Sequence, residues 1–122
     1  MMNKYYLDNL QNTLSGIKEL NTEYKTYKAD ITSEPEVETL VKSVHEDFGS
    51  IDILINNSGI SLNGMSWKLS LEDRNKVLAV NLTGPFLCTK HVLPFMKDKK
   101  NGRIIFMSSV VAQTGVPGTA AY

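Results

Sequence analysis

A single cysteine, Cys88, stands among 122 residues, so no internal disulfide can close a loop. With only two histidines, His45 and His91, no Cys/His spacing suited to a metal ion arises either. Such a chain suits a reducing compartment, and the expectation is a cytoplasmic protein without a bound metal. Long apolar runs are also lacking, since none approaches the roughly 18 residues of a membrane span. The start, Met1-Met2-Asn3-Lys4-Tyr5-Tyr6-Leu7-Asp8, carries no apolar leader segment. Charge of one sign is missing as well: thirteen basic residues balance thirteen acidic ones, and Lys97-Asp98-Lys99-Lys100 reads as a solvated helix end. Neither nucleic acid nor a membrane is therefore expected as a partner. No internal repeat, low-complexity tract or second-domain linker is present.

What is there fits one domain. Hydrophobic residues make up 42% of the chain, enough for a core at this length. Tyr6, Leu7, Leu10, Leu14 and Ile17 recur at spacings of three and four, which predicts an amphipathic helix over Lys4 to Leu20. Glu23 to Ile31 reads as a strand ending at Ala29-Asp30-Ile31-Thr32. Ser33-Glu34-Pro35-Glu36 has the form of a capping box with proline in the first turn, and opens a helix whose buried stripe is Val37, Leu40, Val41, Val44 and Phe48. Gly49-Ser50 ends it. Ile51 to Ile55 is short and apolar except for Asp52, the pattern of a parallel strand covered on both faces. Ser70-Leu71-Glu72-Asp73 caps a third helix carrying Val77, Leu78, Val80, Leu82, Phe86, Leu87 and Val92; Gly84-Pro85 should kink it and Pro94 should lie near its end. Asn101-Gly102 marks a turn, and Arg103 to Met107 a third strand. Glycine and proline between Ala112 and Gly118 make the last stretch a loop. Helices alternating with three strands predict an open parallel α/β sheet, whose ligands bind beyond the carboxyl ends of the strands. Asp30, Asn56 to Gly59 and Ser108-Ser109 all follow strand ends.

Taken singly, these polar groups have ordinary readings: asparagine and glycine tolerate turns, and serines cap helices. Taken in order, Ala29-Asp30-Ile31-Thr32, Asp52 to Gly59, Val80-Asn81-Leu82, Gly102-Arg103-Ile104-Ile105, Ser109 and Ala120-Ala121-Tyr122 resemble the short-chain dehydrogenase/reductases along essentially the whole chain. The resemblance implies a doubly wound, Rossmann-like parallel sheet and an NAD(P)-dependent oxidoreductase that moves a hydride between nicotinamide and a carbonyl or secondary alcohol. It assigns Asn81, Ser109 and Tyr122 to the catalytic set, and Asp30, Ile31, Asn57, Ser58, Gly59 and Tyr122 to cofactor contact. Tyr122 would be the acid/base. A free phenol, with a pKa near ~10, is a poor base at neutral pH; the family tunes it with a lysine four residues on. Ser109 would hold the substrate oxygen, and Asn81 would position a relay water. Ser58 replaces the family's usual alanine.

Two family features do not occur in this sequence: the glycine-rich loop before the first helix, whose helix N-terminus receives a pyrophosphate, and the lysine after the tyrosine. The resemblance therefore makes residues 1–122 an incomplete NAD(P)-binding domain, a fragment truncated at both ends, with Tyr24 to Ile31 left without a neighbouring strand. The 122-residue chain alone is expected to be unstable and inactive. Ser109-Val110-Val111 and Gly115-Val116-Pro117-Gly118 resemble the 3-oxoacyl-[acyl-carrier-protein] reductases, which implies an acyl-carrier or small-molecule carbonyl substrate and a homo-oligomeric parent. Thr119-Ala120-Ala121 is at home in sugar, polyol and other secondary-alcohol dehydrogenases, which stay open. A non-catalytic interaction module, docking through the helix from Leu71 to Val92, is the alternative outside enzymology. Cys88 reads as a small buried residue.

Overall fold

The computed structural model describes residues 15–18 and 21–122. The helix expected over Lys4 to Leu20 falls outside the described residues except for 15–18, which are helical. From there the order is α1 (Glu34–Phe48), β1 (Ile53–Asn56), α2 (Leu71–Leu78), a π-helical turn (Ala79–Thr83), α3 (Gly84–Lys99), β2 (Arg103–Phe106) and the single turn α4 (Val111–Thr114).

The two strands pair in parallel, Ile53 opposite Arg103 through Asn56 opposite Phe106, so their carboxyl ends open at one edge. Because side chains alternate along a strand, Leu54 and Ile104 turn toward the helices and join Val37, Val41, Leu87, Val92 and Met96 in the core. Ile53, Ile55 and Ile105 stay exposed. The expectation of a strand covered on both faces is thus corrected: α1 and α3 pack together on the Leu54/Ile104 face, and no described helix reaches the other. The strand expected over Glu23 to Ile31 is also not formed. Residues 22–30 exchange no ladder bonds with β1 or β2, and extended backbone becomes a strand only where a neighbour takes up its hydrogen bonds. Instead this segment lies against α1, held by Lys25 and Tyr27, which both reach Asp47.

Capping explains the helix starts. Ser70 accepts from the Asp73 amide at 3.0 Å and opens α2 as its sequence predicts. Ser33 makes no side-chain cap. The capping box expected there is replaced by a longer reach, with Glu36 Oε2 accepting the Asp30 amide at 2.9 Å. Glutamate bonded outward in this way ties the Asp30 turn to α1. Phe48, at the end of the expected stripe, is exposed with Lys25 above its ring.

The predicted kink takes the form of a π turn. Pro85 has no N–H to give the Asn81 carbonyl and its ring would press on that oxygen. Widening the preceding turn relieves this, and the Gly84 amide bonds Ala79 O five residues back. Pro94 sits inside α3 rather than near its end; the helix runs on to Lys99, where Lys100 adopts φ 52 and closes the last carbonyls of Met96 and Lys97.

Candidate active site

Each strand end empties into a polar turn: Asn56 into Asn57-Ser58-Gly59, and Phe106 into Met107-Ser108-Ser109. Together they border an open cleft of about 950 Å³. Asn81 and Tyr122 line the same cleft, so Asn81, Ser109, Tyr122, Asn57, Ser58 and Gly59 come together on one space. Asp30 and Ile31 do not line it. They sit at the N-terminus of α1, where Asp30 Oδ1 accepts from the Thr32 amide and hydroxyl at 2.9 and 2.7 Å. Those bonds from Thr32 hold the Asp30 carboxyl below its ordinary range.

Asn81 is the best anchored of these side chains. Its Oδ1 accepts from the Ile60 amide and its Nδ2 donates to Ile60 O, both at 2.9 Å. This pair fixes the turn after β1 to the π turn that Pro85 induces, so the kink in the long helix sets the shape of the cleft floor. An amide side chain has two donors and two lone pairs, and the Ile60 pair leaves one of each. Ser109 is half-buried and its Oγ accepts from the Val111 amide at 3.2 Å, starting α4. The hydroxyl hydrogen is not spent in that bond. Tyr122 is 48% exposed, its amide bonded to Thr119 O at 3.0 Å.

The lining is uncharged. Among the described residues no Asp, Glu, Lys, Arg or His borders the cleft. Exposed Ser58 and Gly59 allow backbone to be approached closely, and a Cβ at Gly59 would meet nothing nearer than Asn81 Oδ1 at 3.6 Å. Buried Asn56 keeps an unpartnered Nδ2 at the same border. Exposed amides, an unspent donor and no competing charge suit a ligand that carries hydrogen-bonding groups.

Sequence reading missed one wall of this cleft. Gly64 N bonds Gly118 O at 2.8 Å and pairs with Thr119 in an isolated parallel bridge, bringing Met65, Ser66 and Trp67 beside Val116 and Pro117. The only local signal was an isolated tryptophan in a loop, and no spacing rule links residues 64 and 119. Among the described residues no group of three His, Cys, Asp or Glu could hold a metal ion, and no described helix is long and apolar enough to cross a membrane.

Comparisons with known proteins agree on one family. A family described as short chain dehydrogenase matches residues 1–122. A 3-oxoacyl-[acyl-carrier-protein] reductase of Synechocystis sp. is 42% identical over 95 residues, which are 78% of this chain and 38% of that protein. The 3-oxoacyl-[acyl-carrier-protein] reductase FabG of Thermotoga maritima is 33% identical over 115 residues, 94% of this chain and 47% of that one. Among solved structures, NAD+-bound xylitol dehydrogenase superposes with a TM-score of 0.88 at 34% identity, covering 94% of this chain and 45% of its own. ElxO with NADP bound gives 0.76 at 32% identity, over 80% and 40%. The chain thus spans less than half the length of these relatives.

Proposed function

Since the chain belongs to the short chain dehydrogenase family, we propose that the protein carrying it reduces a carbonyl, or oxidises a secondary alcohol, with NAD or NADP. The observation that carries this is the gathering of Asn81, Ser109 and Tyr122 with Asn57 to Gly59 on one uncharged cleft. A bound nicotinamide supplies or accepts the hydride. The rest falls to side chains. As a hydride reaches the carbonyl carbon, negative charge grows on the oxygen, and the Tyr122 hydroxyl gives that oxygen a proton. Ser109, one of whose lone pairs is taken by the Val111 amide, turns its hydroxyl hydrogen to the same oxygen and holds it in place. Asn81 keeps one N–H and one lone pair beyond its Ile60 bonds, enough to hold a water that returns the proton to Tyr122. Asp30 and Ile31, away from the cleft, would meet the adenine end of the cofactor.

The 3-oxoacyl-[acyl-carrier-protein] reductases among the relatives favour an acyl carbonyl as substrate, and xylitol dehydrogenase supports a polyol as the second reading. The test is oxidation of NADH and NADPH by the purified protein with each carbonyl class, repeated with Tyr122→Phe. Loss of roughly 10²-fold or more in turnover with unchanged cofactor binding is expected; equal turnover would remove Tyr122 from the chemistry. An association role rests on different residues. Leu82, Phe86 and Leu93 on the π turn and α3 are exposed at spacings that place them near one face, which favours contact with a second copy or a full-length relative. Co-elution with such a relative on size exclusion is the expected result, and separate elution counts against it.

A further inference from the structure

We infer that Thr119 is a positioning residue for Tyr122: its hydroxyl and its carbonyl join two successive turns that bring the tyrosine to the cleft, and the bond between Gly64 and Gly118 anchors them. This deepens the proposed reduction and rests on Tyr122 as its proton donor. Thr119 acts through the backbone that carries Tyr122, not on the reacting atoms.

Two tight turns run in series between Val116 and Tyr122. The Thr119 amide donates to Val116 O at 3.2 Å and the Tyr122 amide to Thr119 O at 3.0 Å, so residues 116–119 form one turn and 119–122 the next, with Thr119 shared. In the first, Pro117 and Gly118 take the central places, and Gly118 has the positive φ, 85, that a type II turn requires there. The 3.2 Å bond lies at the long end for an amide donor. The Thr119 hydroxyl donates to the same carbonyl at 2.6 Å, short for a hydroxyl donor, and is the firmer closure of the two. Its direction is restricted by the branching at Cβ.

The pair of turns is anchored at one point. Among the described residues, the backbone hydrogen bond that runs from residues 109–122 to another part of the chain is Gly64 N to Gly118 O at 2.8 Å, and it falls on the peptide that links Gly118 to Thr119. Gly64 is itself followed by a closed turn, in which Met65 O accepts the Lys68 and Leu69 amides at 2.7 and 2.9 Å. Thr119 therefore stands where a local closure and a tertiary anchor meet. The consequence reaches the chemistry through leverage: the phenol oxygen is at the far end of a long side chain, so a small rotation of the Tyr122 backbone becomes a large displacement of that oxygen. Misplacing a reacting group by roughly 1 Å costs about 10²-fold in rate.

The experiment measures kcat and cofactor affinity of the protein carrying this chain, with the carbonyl it reduces best. In each turnover one hydride from NADH or NADPH goes to the carbonyl carbon and one proton to its oxygen, giving the alcohol. Thr119→Val keeps the branched shape and removes the hydroxyl; it should lower kcat about 10-fold with cofactor affinity unchanged, and Thr119→Ser should recover most of the loss. Gly118→Ala should act like Thr119→Val, because a Cβ there would meet nothing nearer than Gly64 N at 3.8 Å and the obstacle is the positive φ alone. Dependence on the phenol separates positioning from support of the fold: in a Tyr122→Phe background, with no hydroxyl to place, Thr119→Val should leave the residual turnover as it is. An unaltered kcat in Thr119→Val, no recovery in Thr119→Ser, or the same fold-loss with and without the Tyr122 hydroxyl would overturn the inference. If no carbonyl is reduced with either cofactor, or Tyr122→Phe loses no turnover, the proton-donor reading fails by itself. Amide hydrogen exchange then decides the placement: faster exchange at Gly64 and Tyr122 in Thr119→Val but not in Thr119→Ser supports it, while unchanged exchange at either amide overturns it.

Discussion

Replacing Gly84 by alanine should expose how the two halves of the binding surface are joined. Gly84 is buried at the start of α3, in ordinary right-handed helical geometry with φ -56, so its backbone does not require glycine. Its neighbour does. A Cβ at Gly84 would lie 2.7 Å from Ile31 Cδ1, 2.9 Å from Cγ1 and 3.4 Å from Cβ, where carbon atoms prefer roughly 3.5–4.0 Å. Cγ1 sits next to a β-branched carbon with few rotamers, so the side chain cannot swing clear and backbone must separate by several tenths of an ångström. Alanine gains about 1 kcal/mol over glycine in a helix, and overpacking costs about 1–3 kcal/mol. The balance is a net loss near ~1 kcal/mol. In an Ile31→Ala background the clash is gone and only the helical gain remains, so the same change should become stabilising by up to ~1 kcal/mol. Urea unfolding of the four variants of this cycle measures both signs. Stabilisation by Gly84→Ala with Ile31 present, or the same loss in both backgrounds, would refute the argument. The result matters beyond stability, because Ile31 and Asp30 are assigned to the cofactor's adenine end while Asn81 lies three residues before Gly84. The contact joins the segments that carry the residues proposed for the two ends of the cofactor.

Asn81→Ala leaves the Ile60 amide and carbonyl without their partners and should cost about 1–3 kcal/mol, with faster hydrogen exchange at Ile60; unchanged protection there would show that the turn holds without Asn81. Gly102→Ala places a Cβ 2.6 Å from Sδ and 2.9 Å from Cβ of buried Met96; a loss of about 1–3 kcal/mol in urea unfolding is expected, reduced when Met96 is shortened to alanine. Acid should act through Asp30, held low by Thr32, and Glu34, held low first by Lys90 and then by His91. Because both carboxyls bind protons more weakly folded than unfolded, their stabilisation is complete above the unfolded value near ~4 and disappears as pH falls through the lower folded values. Glu34→Gln should therefore reduce the acid sensitivity of unfolding, and an identical pH profile would exclude the Glu34 cluster as a contributor. Burial raises the Cys88 thiol above its usual range; a thiol-specific reagent at mildly alkaline pH should label it severalfold faster in the urea-unfolded chain than in the folded one, and equal rates would show that the folded thiol is not shielded.

The sequence by itself determined the local matters. Alternating helical and strand periods, the Ser70 cap, the breaker at Gly84-Pro85 and the ordered motifs from Asp30 to Tyr122 are written in neighbours along the chain, and they were enough for the α/β class and the family. These features are short-range because capping, proline geometry and side-chain period act within a turn or two. What the tertiary structure decided depends on residues brought together from afar. Glu36 bonds the Asp30 amide instead of closing a capping box on Ser33, since the competing partner becomes available only when the preceding segment folds onto α1. Residues 22–30 have strand-like composition, yet pairing needs a neighbour that composition does not supply. Asn81 binds Ile60 across 21 positions from its place in the π turn of the packed helix. The apolar wall of the cleft exists because residues 64 and 119 meet through backbone hydrogen bonds, which carry no side-chain signature and so leave no trace in the sequence.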